Sequence, residues 1–418
     1  MGVTESAQGV AFVPIASPLH DPQSTARVLS GYRMWLKGIY GEEAPLATSA
    51  QDIGRSHLGE CTCILGLVLT GGTEQTLGAL ASLERPLLVL AHDSMNSFPA
   101  ALEAMSATSS GRAKLILGRG IKQKKEVRLF SDAAQSLSRI ASHRIGLVGG
   151  PSSWLTYSLP EADALFARLG IRVVEIPMDE VRRAYAASPV VETPLVGIDA
   201  KGGATREVSP SDLSKSDGVY RALKSISRKR RLTAISPRCF DFIKEFGATG
   251  CLALSRLNDE GIVAGCEGDI PSTVAMIALA EVAGAAAFMG NPSFIDGRRL
   301  VIAHCTVATK MTRSFHYRSH FESGLGLALA GEFKPKARVT VARFARGYGL
   351  LRAGEGTLVK GSPWSETLCR TQAEIRMDSP ADVFWQRPMG NHLVMTYGDL
   401  VGDLRRLATV AGIEFEEV

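Results

Sequence analysis

Residues 61–69, Cys-Thr-Cys-Ile-Leu-Gly-Leu-Val-Leu, form an almost unbroken apolar run. It is too short to span a bilayer as a helix and offers no polar face to water, so it reads as a strand buried on both sides. The run ends in Thr70-Gly-Gly-Thr-Glu74. Helical spacing over 75–83 follows, then an apolar strand over 86–91, the polar loop His92-Asp-Ser-Met-Asn-Ser97 and a helix over 98–106. A strand over 9–15 and a helix over 24–38 precede it. Strands alternating with helices imply a parallel, doubly wound sheet. Ligands gather at the carboxyl ends of such strands, where both polar loops fall. A helix N-cap accounts for Thr70-Gly-Gly-Thr-Glu74 equally well.

A second unit repeats the pattern: a strand over 145–148, the loop Gly149-Gly-Pro-Ser-Ser-Trp154, a helix over 162–169 and a strand over 172–176. The loop is only loosely like a phosphate cradle. No G-x-G-x-x-G or Walker A pattern follows a strand, so no nucleotide is assigned. Residues 190–217, rich in Pro, Gly, Ser and charge, read as a connector. After residue 332 the chain alternates in strand fashion over 338–344, 350–353, 356–360 and 371–377, with turns every eight to twelve residues. That suggests a small antiparallel unit or barrel, followed by helical spacing over 400–412. The expected fold class is therefore α/β: two doubly wound parallel-sheet N-terminal domains (1–143 and 144–233) and a C-terminal domain (234–418) with an antiparallel β-barrel portion.

Composition excludes several classes. With 45% hydrophobic and 21% charged residues, the 418-residue chain matches ordinary globular domains. No apolar run reaches the ~18 residues of a membrane span. The N-terminal residues lack the basic and apolar regions of a signal peptide, so a cytoplasmic protein is expected. The seven cysteines include no CxxC pair and read as buried, reduced thiols rather than a zinc site. Net charge is +5, and the basic runs at 122–125 and 224–231 are not interleaved with aromatics. They read as solvated surface, with no nucleic-acid partner, and leave room for a phosphorylated or otherwise anionic ligand.

Chemistry concentrates in residues 265–305. Glu267, Asp269, Asn291 and His304 each sit beside an apolar run, as ligands pointed into one cleft would. Oxygen donors with imidazole suit Mn²⁺ or Mg²⁺. Pro271 lies near the start of an apolar helix over 272–286, whose N-terminal dipole faces both carboxylates and lowers their pKa. Asp269 is then either a helix cap or a ligand; Glu267 precedes the cap and is placed for acid/base work. His316 and His320, four apart, would share a helix face as a second metal site. Together with Arg313, Tyr317 and Arg318 they also suit a loop for an anionic or polyhydroxylated ligand, or plain surface. Trp385 is a candidate for stacking on a sugar, or a core residue.

Glu267-Gly-Asp269, Met289-Gly-Asn291, Ala303-His304 and Gly390-Asn-His392, in this order and spacing, resemble the L-fucose isomerase/L-arabinose isomerase superfamily. The loops at Thr70–Glu74 and Asn96-Ser97 resemble the N-terminal half of its shorter microbial members. The resemblance implies an intramolecular oxidoreductase of carbohydrate metabolism, interconverting aldose and ketose through an enediol with Mn²⁺ or another divalent ion such as Mg²⁺ or Co²⁺. By position, Glu267 matches the first metal-binding carboxylate and acid/base, Asn291 the second carboxylate, His392 the late metal-binding histidine and His304 the histidine of arabinose isomerases. Glu267, Asn291 and Asp269 are then the catalytic candidates, and Glu267, Asn291, His392 and His304 the metal ligands. Thr70, Glu74, Asn96, Ser97, Trp385 and Asn391 are the substrate contacts. The resemblance also implies a homo-oligomer, trimer or hexamer. Asn291 departs from the family, since an amide brings no charge and cannot act as a base. That leaves a metal-dependent epimerase or lyase, or a non-catalytic sugar-binding sensor, as alternatives.

Overall fold

The computed structural model describes residues 9–56, 58–108, 111–188 and 207–418. Residues 1–8 of the N-terminus and 190–206 of the expected connector lie outside them. Two compact units form, one from the described residues up to Arg139 with Arg405–Glu414, the other from Ile140–Leu404 with Phe415–Val418.

The first unit holds β1 (Val10–Ile15), β2 (Glu42–Glu43), β3 (Cys63–Val68), β4 (Leu87–Ala91) and β5 (Ala113–Leu117), all parallel, in the order β2-β1-β3-β4-β5. Every residue of β1, β3 and β4 is buried, as continuous apolar runs between two helix layers require. The order reverses between β1 and β3. Ser17 and Thr70 follow these strands there, and the Ser17 amide donates to Thr70 Oγ1 at 2.7 Å.

The second unit opens with another parallel sheet: β6 (Arg144–Val148), β7 (Arg172–Ile176), β8 (Ala234–Pro237) and β9 (Val263–Ala264), in the order β7-β6-β8-β9. This sheet thus takes strands from beyond residue 233. Between β7 and β8, the connector reading gives way at residue 210 to the helix Pro210–Arg230. Its Ser209-Pro-Ser-Asp212 start has linker composition but forms a capping box. The basic run at its end includes Arg230, which pairs with Glu180; cations there suit the carbonyl end of the helix.

The chain continues through β10 (Phe288–Asp296), β11 (Arg299–His304), β12 (Thr312–Arg318), β13 (Ala328–Phe333), β14 (Arg338–Phe344), β15 (Leu350–Lys360), β16 (Thr371–Met377), β17 (Leu393–Tyr397) and β18 (Glu414–Glu417). Six of these close an antiparallel barrel, β14-β17-β10-β11-β16-β15 and back to β14, with β18 added beside β15. Its core has the two-residue period of a pleated strand: Leu300 and Ile302, Val339 and Val341, Ala373 and Ile375, Leu393 and Met395 share one buried cluster. The segments at 350–353 and 356–360 are one strand, which pairs with β14 along its first part and β16 along its last. The changeover falls at Gly356, where a Cβ would lie 2.6 Å from the Arg376 carbonyl oxygen.

The hairpin β12–β13 corrects the helical reading of His316 and His320. His316 pairs with Ala330 within β12, while His320 lies beyond the end of that strand. Alternating Phe315 and Tyr317 pack on the barrel core, so the period is two rather than 3.6.

The apolar segment after Pro271 is the helix Ile270–Ala283, buried over its first ten residues and packed on β17, β14 and β8. It links the parallel sheet to the barrel. Among the described residues no helix is long and apolar enough to cross a membrane.

Candidate metal centre

Three elements of the second unit converge. The parallel sheet reverses its order between β6 and β8, and the loops after β6, β8 and β9 gather at that end, as ligand-binding loops do. After β9 comes Gly265-Cys-Glu267, and Glu267 takes a left-handed φ of 61°. A residue with a Cβ holds that conformation at about 1 kcal/mol or more, so its surroundings must enforce it. The loop after β6 does so. The Ser152 amide donates to the Glu267 carbonyl at 2.9 Å, and Trp154 Nε1 donates to Glu267 Oε2 at 2.8 Å. Gly268 (φ 71°) lies flat on the same loop, where a Cβ would fall 2.6 Å from the Gly150 carbonyl oxygen. Gly268→Ala is expected to destabilise the protein by roughly 2 kcal/mol or more, from backbone strain plus this clash. Denaturant unfolding measures it, and an unchanged midpoint would mean that the loop gives way freely.

His304 ends β11, opposite Thr371, and His392 immediately precedes β17. One ligand atom from each of Glu267, His304 and His392 lies within 4.8 Å of the other two, and all three residues are buried. Behind them sits Asp269. It caps the helix Ile270–Ala283 by accepting from the Ser272 amide at 2.8 Å. It also accepts from Arg343 Nη1 at 3.0 Å and bonds His392 Nδ1 at 2.9 Å. Arg343, on β14, is 1% exposed, and also donates to the Met389 carbonyl and to Ser158 Oγ. A carboxylate on Nδ1 orients the His392 ring, and Nε2 stands 3.6 Å from Glu267 Oε1.

These contacts set the charges. Burial would raise the Glu267 pKa, but His392, His304 and Trp154 outweigh it and hold the carboxylate at about 2. Asp269 is likewise held at about 2, burial being overcome by Arg343, His392 and the Ser272 amide. His304 falls to about 3 through burial and the neighbouring His392. Burial pushes His392 down too, yet Asp269 and Glu267 raise it to about 9. At neutral pH, without a metal, the cluster holds one proton on His392 between two carboxylates.

The residues fit a divalent cation. His304 Nδ1 is buried with no hydrogen-bond partner among the described residues, and buried His392 Nε2 meets Glu267 Oε1 only at 3.6 Å, beyond hydrogen-bond length; a cation that took these nitrogens, displacing the His392 proton, would satisfy both. One carboxylate and two imidazoles suit a first-row divalent ion.

The other expected site residues fall as follows. Asn291, on β10, pairs with Ala303, one residue from His304. Asn391 is exposed beside His392. Trp385 is 58% exposed, and its Nε1 donates to Asp382; the aromatic ring that touches the cluster is Trp154. Thr70, Glu74, Asn96 and Ser97 gather in the first unit. There Thr70 accepts from Ser17, Ser97 Oγ donates to the Val68 carbonyl, Glu74 opens the helix Glu74–Ala81, and Asn96 is exposed with a φ of 57°. Sequence reasoning missed Trp154, Arg343 and Ser158. Only Trp154 carried a signal, a glycine-rich loop at the carboxyl end of a strand. A cavity of about 540 Å³ lies at the far end of the helix Ile270–Ala283, lined by Glu281, Gly284 and Met311 and by none of the cluster residues.

No family model matches the chain. It is similar to proteins named sulfoquinovose isomerase. The one from Priestia megaterium is 24% identical over 296 residues, covering 65% of this chain and 63% of that protein. The one from Alkalicoccus urumqiensis is 24% identical over 303 residues, 68% of this chain and 66% of that protein. For Clostridium sp. (strain MSTE9) the figures are 25% over 219 residues and 47% of each chain. The chain thus spans less than two thirds of the length of these relatives.

Proposed function

We propose that this chain is a divalent-metal-dependent aldose–ketose isomerase acting on an anionic sugar, built on the plan of the L-fucose/L-arabinose isomerase superfamily. One observation carries the reading: a ligand atom from each of the buried residues Glu267, His304 and His392 lies within 4.8 Å of the others, in a chain whose relatives are named sulfoquinovose isomerase. Sulfoquinovose, a sulfonated aldose, is the first substrate to test.

Isomerisation moves one proton from C2 to C1 and another from O2 to O1, with no outside oxidant. A bound Mn²⁺, Mg²⁺ or Co²⁺ would be held by Glu267, His304 and His392, with Asn291 as an added oxygen donor, and would stabilise negative charge on the sugar oxygens. Glu267 is ionised at neutral pH and is the base for the carbon-bound proton. Trp154 fixes one of its oxygens, so the carboxylate keeps a single orientation. Asp269 holds His392 in place rather than meeting substrate, because the Ser272 amide, Arg343 and His392 already engage it. Assembly as a trimer or hexamer belongs to the same reading.

The test is Mn²⁺ affinity with a ketose-formation screen over sulfoquinovose, pentoses, 6-deoxyhexoses and their phosphates. Binding with turnover supports the reading. Binding without turnover on any aldose would make the chain a sensor or redirect it to other chemistry, and absence of binding would sink it.

The charge state yields a separate prediction. Because His392 must lose its proton to coordinate through Nε2, each Mn²⁺ bound near pH 7.5 should release about one proton, and affinity should rise up to about tenfold per pH unit below pH 9. Titration calorimetry in buffers of different ionisation enthalpy reads this directly. Binding without proton release would place the metal away from His392.

A further inference from the structure

We propose that His320 carries the second proton of this reaction, taking it from O2 and returning it to O1, while Glu267 carries the proton between the carbons; this rests on the isomerase reading. The balance requires two carriers. C2–H and O2–H break, C1–H and O1–H form, and the carbonyl moves from C1 to C2 with all electrons kept within the sugar.

Few groups around the cluster can serve. His304 and His392 offer their open nitrogens to the cation. Asp269 is engaged by a helix cap, an arginine and a histidine. The Asn291 amide has no group that titrates near neutral pH and so serves as neither acid nor base, and the Trp154 indole is a donor already used on Glu267.

His320 lies on the cluster's side of the fold. A row of edge-to-face rings leads to it from the carboxylate. Trp154, bonded to Glu267, meets Phe240 at 5.1 Å and 84°, and Phe240 meets His320 at 5.4 Å and 78°. Phe240 opens the helix after β8, so this row crosses the same carboxyl-end edge that carries Glu267. His320 lies within electrostatic reach of both Glu267 and His304. It is 8% exposed and fixed: Nδ1 bonds Ser323 Oγ at 3.0 Å, and its backbone pairs with Leu325 and Gly324. Nε2 has no hydrogen-bond partner among the described residues. The Nδ1–Ser323 contact fits either tautomer, and the proposed role uses the one in which Nδ1–H donates to Ser323 and Nε2 accepts. Burial and Arg370 push the ring's pKa down to about 4 against the pull of Glu267, so it is a neutral base at pH 7. The rival is Glu322, two residues on. It is more open to solvent than His320, and the partial burial that remains, with the Glu267 charge, raises its pKa.

The experiment uses the Mn²⁺-loaded full chain in D₂O with the aldose panel above, sulfoquinovose first. It compares His320→Gln, Glu322→Gln, and His320→Gly with added imidazoles. His320→Gln is expected to lower ketose formation by ~10²–10³-fold. Its Mn²⁺ affinity should stay within about threefold and exchange of the C2 hydrogen should persist, because Glu267 still acts. Added imidazole should restore His320→Gly, the more basic imidazoles restoring it faster, which a merely structural side chain would not produce. Glu322→Gln should retain wild-type turnover. Near-wild-type turnover by His320→Gln, loss on Glu322→Gln instead, or failure of imidazole to rescue a His320→Gly protein that still binds Mn²⁺ would each overturn the assignment. Turnover by both the wild type and His320→Gln removes this inference alone; a wild type that converts no aldose removes the isomerase reading with it.

Discussion

On the proposed isomerase reading, Glu267→Gln is expected to lower ketose formation by ~10³–10⁴-fold, the upper part of the range for losing a positioned acid/base. The fold should survive. Trp154 Nε1 can still donate to the amide oxygen, and the Ser152 bond to the residue 267 carbonyl involves only backbone. What disappears is the negative charge between the two imidazoles. Mn²⁺ affinity should therefore fall together with turnover, and His392, now with Asp269 as its only adjacent carboxylate, should release its proton at lower pH. Histidine NMR titration of the metal-free variant reads the last effect, and calorimetry the first. Turnover within tenfold of wild type would remove Glu267 from the proton path, even if metal binding were lost.

Asp269→Asn should have the largest effect on stability, about 3–5 kcal/mol, because it leaves Arg343 buried without its anion. The pair is almost wholly inaccessible, at 1% and 0% exposure. The same change frees the His392 ring, so metal affinity should drop ~10–100-fold through loss of an outer-shell partner. Arg343→Met should be milder, since protonated His392 still faces Asp269. The pH dependence of the metal-free wild type follows from the shifts. Asp269 is depressed from 3.8 to about 2, so its contribution is present above the unfolded value and is lost as pH falls toward 2. His392 is raised from 6.5 to about 9, so its contribution is full below 6.5 and is lost as pH rises through 9. Stability should thus fall on both flanks in the wild type, and both should flatten in Asp269→Asn. Denaturant unfolding across pH checks this; an unchanged acid flank would show that Asp269 does not hold the site together.

What could be read without a structure was local. The apolar runs at β3 and β4 specify buried parallel strands because length and composition suffice for that reading. The alternation in β14 and β16 announces an antiparallel unit because the period of two is written in neighbouring residues. Asp269 followed by Pro271 marks a helix start because capping chemistry spans three positions. Glu267 and His304 stood out as polar residues beside apolar runs, while His392 came in only through the resemblance of Gly390-Asn-His392 to a known family. Helix Pro210–Arg230 escaped notice because its cap shares the composition of a linker.

Tertiary structure alone decided how those residues work. Trp154 meets Glu267 across 113 positions, Arg343 meets Asp269 across 74, and His392 meets Asp269 across 123. Asp269 is at once cap, arginine partner and histidine anchor because the parallel sheet and the barrel both pack on the helix it begins. His320 joins the ring row from Trp154 only because β12 is a strand and the loop beyond it folds back on Phe240. The sequence by itself determined which elements form and which groups are chemically able. Which of those groups face one another depended on packing between distant elements, and no local pattern encodes that.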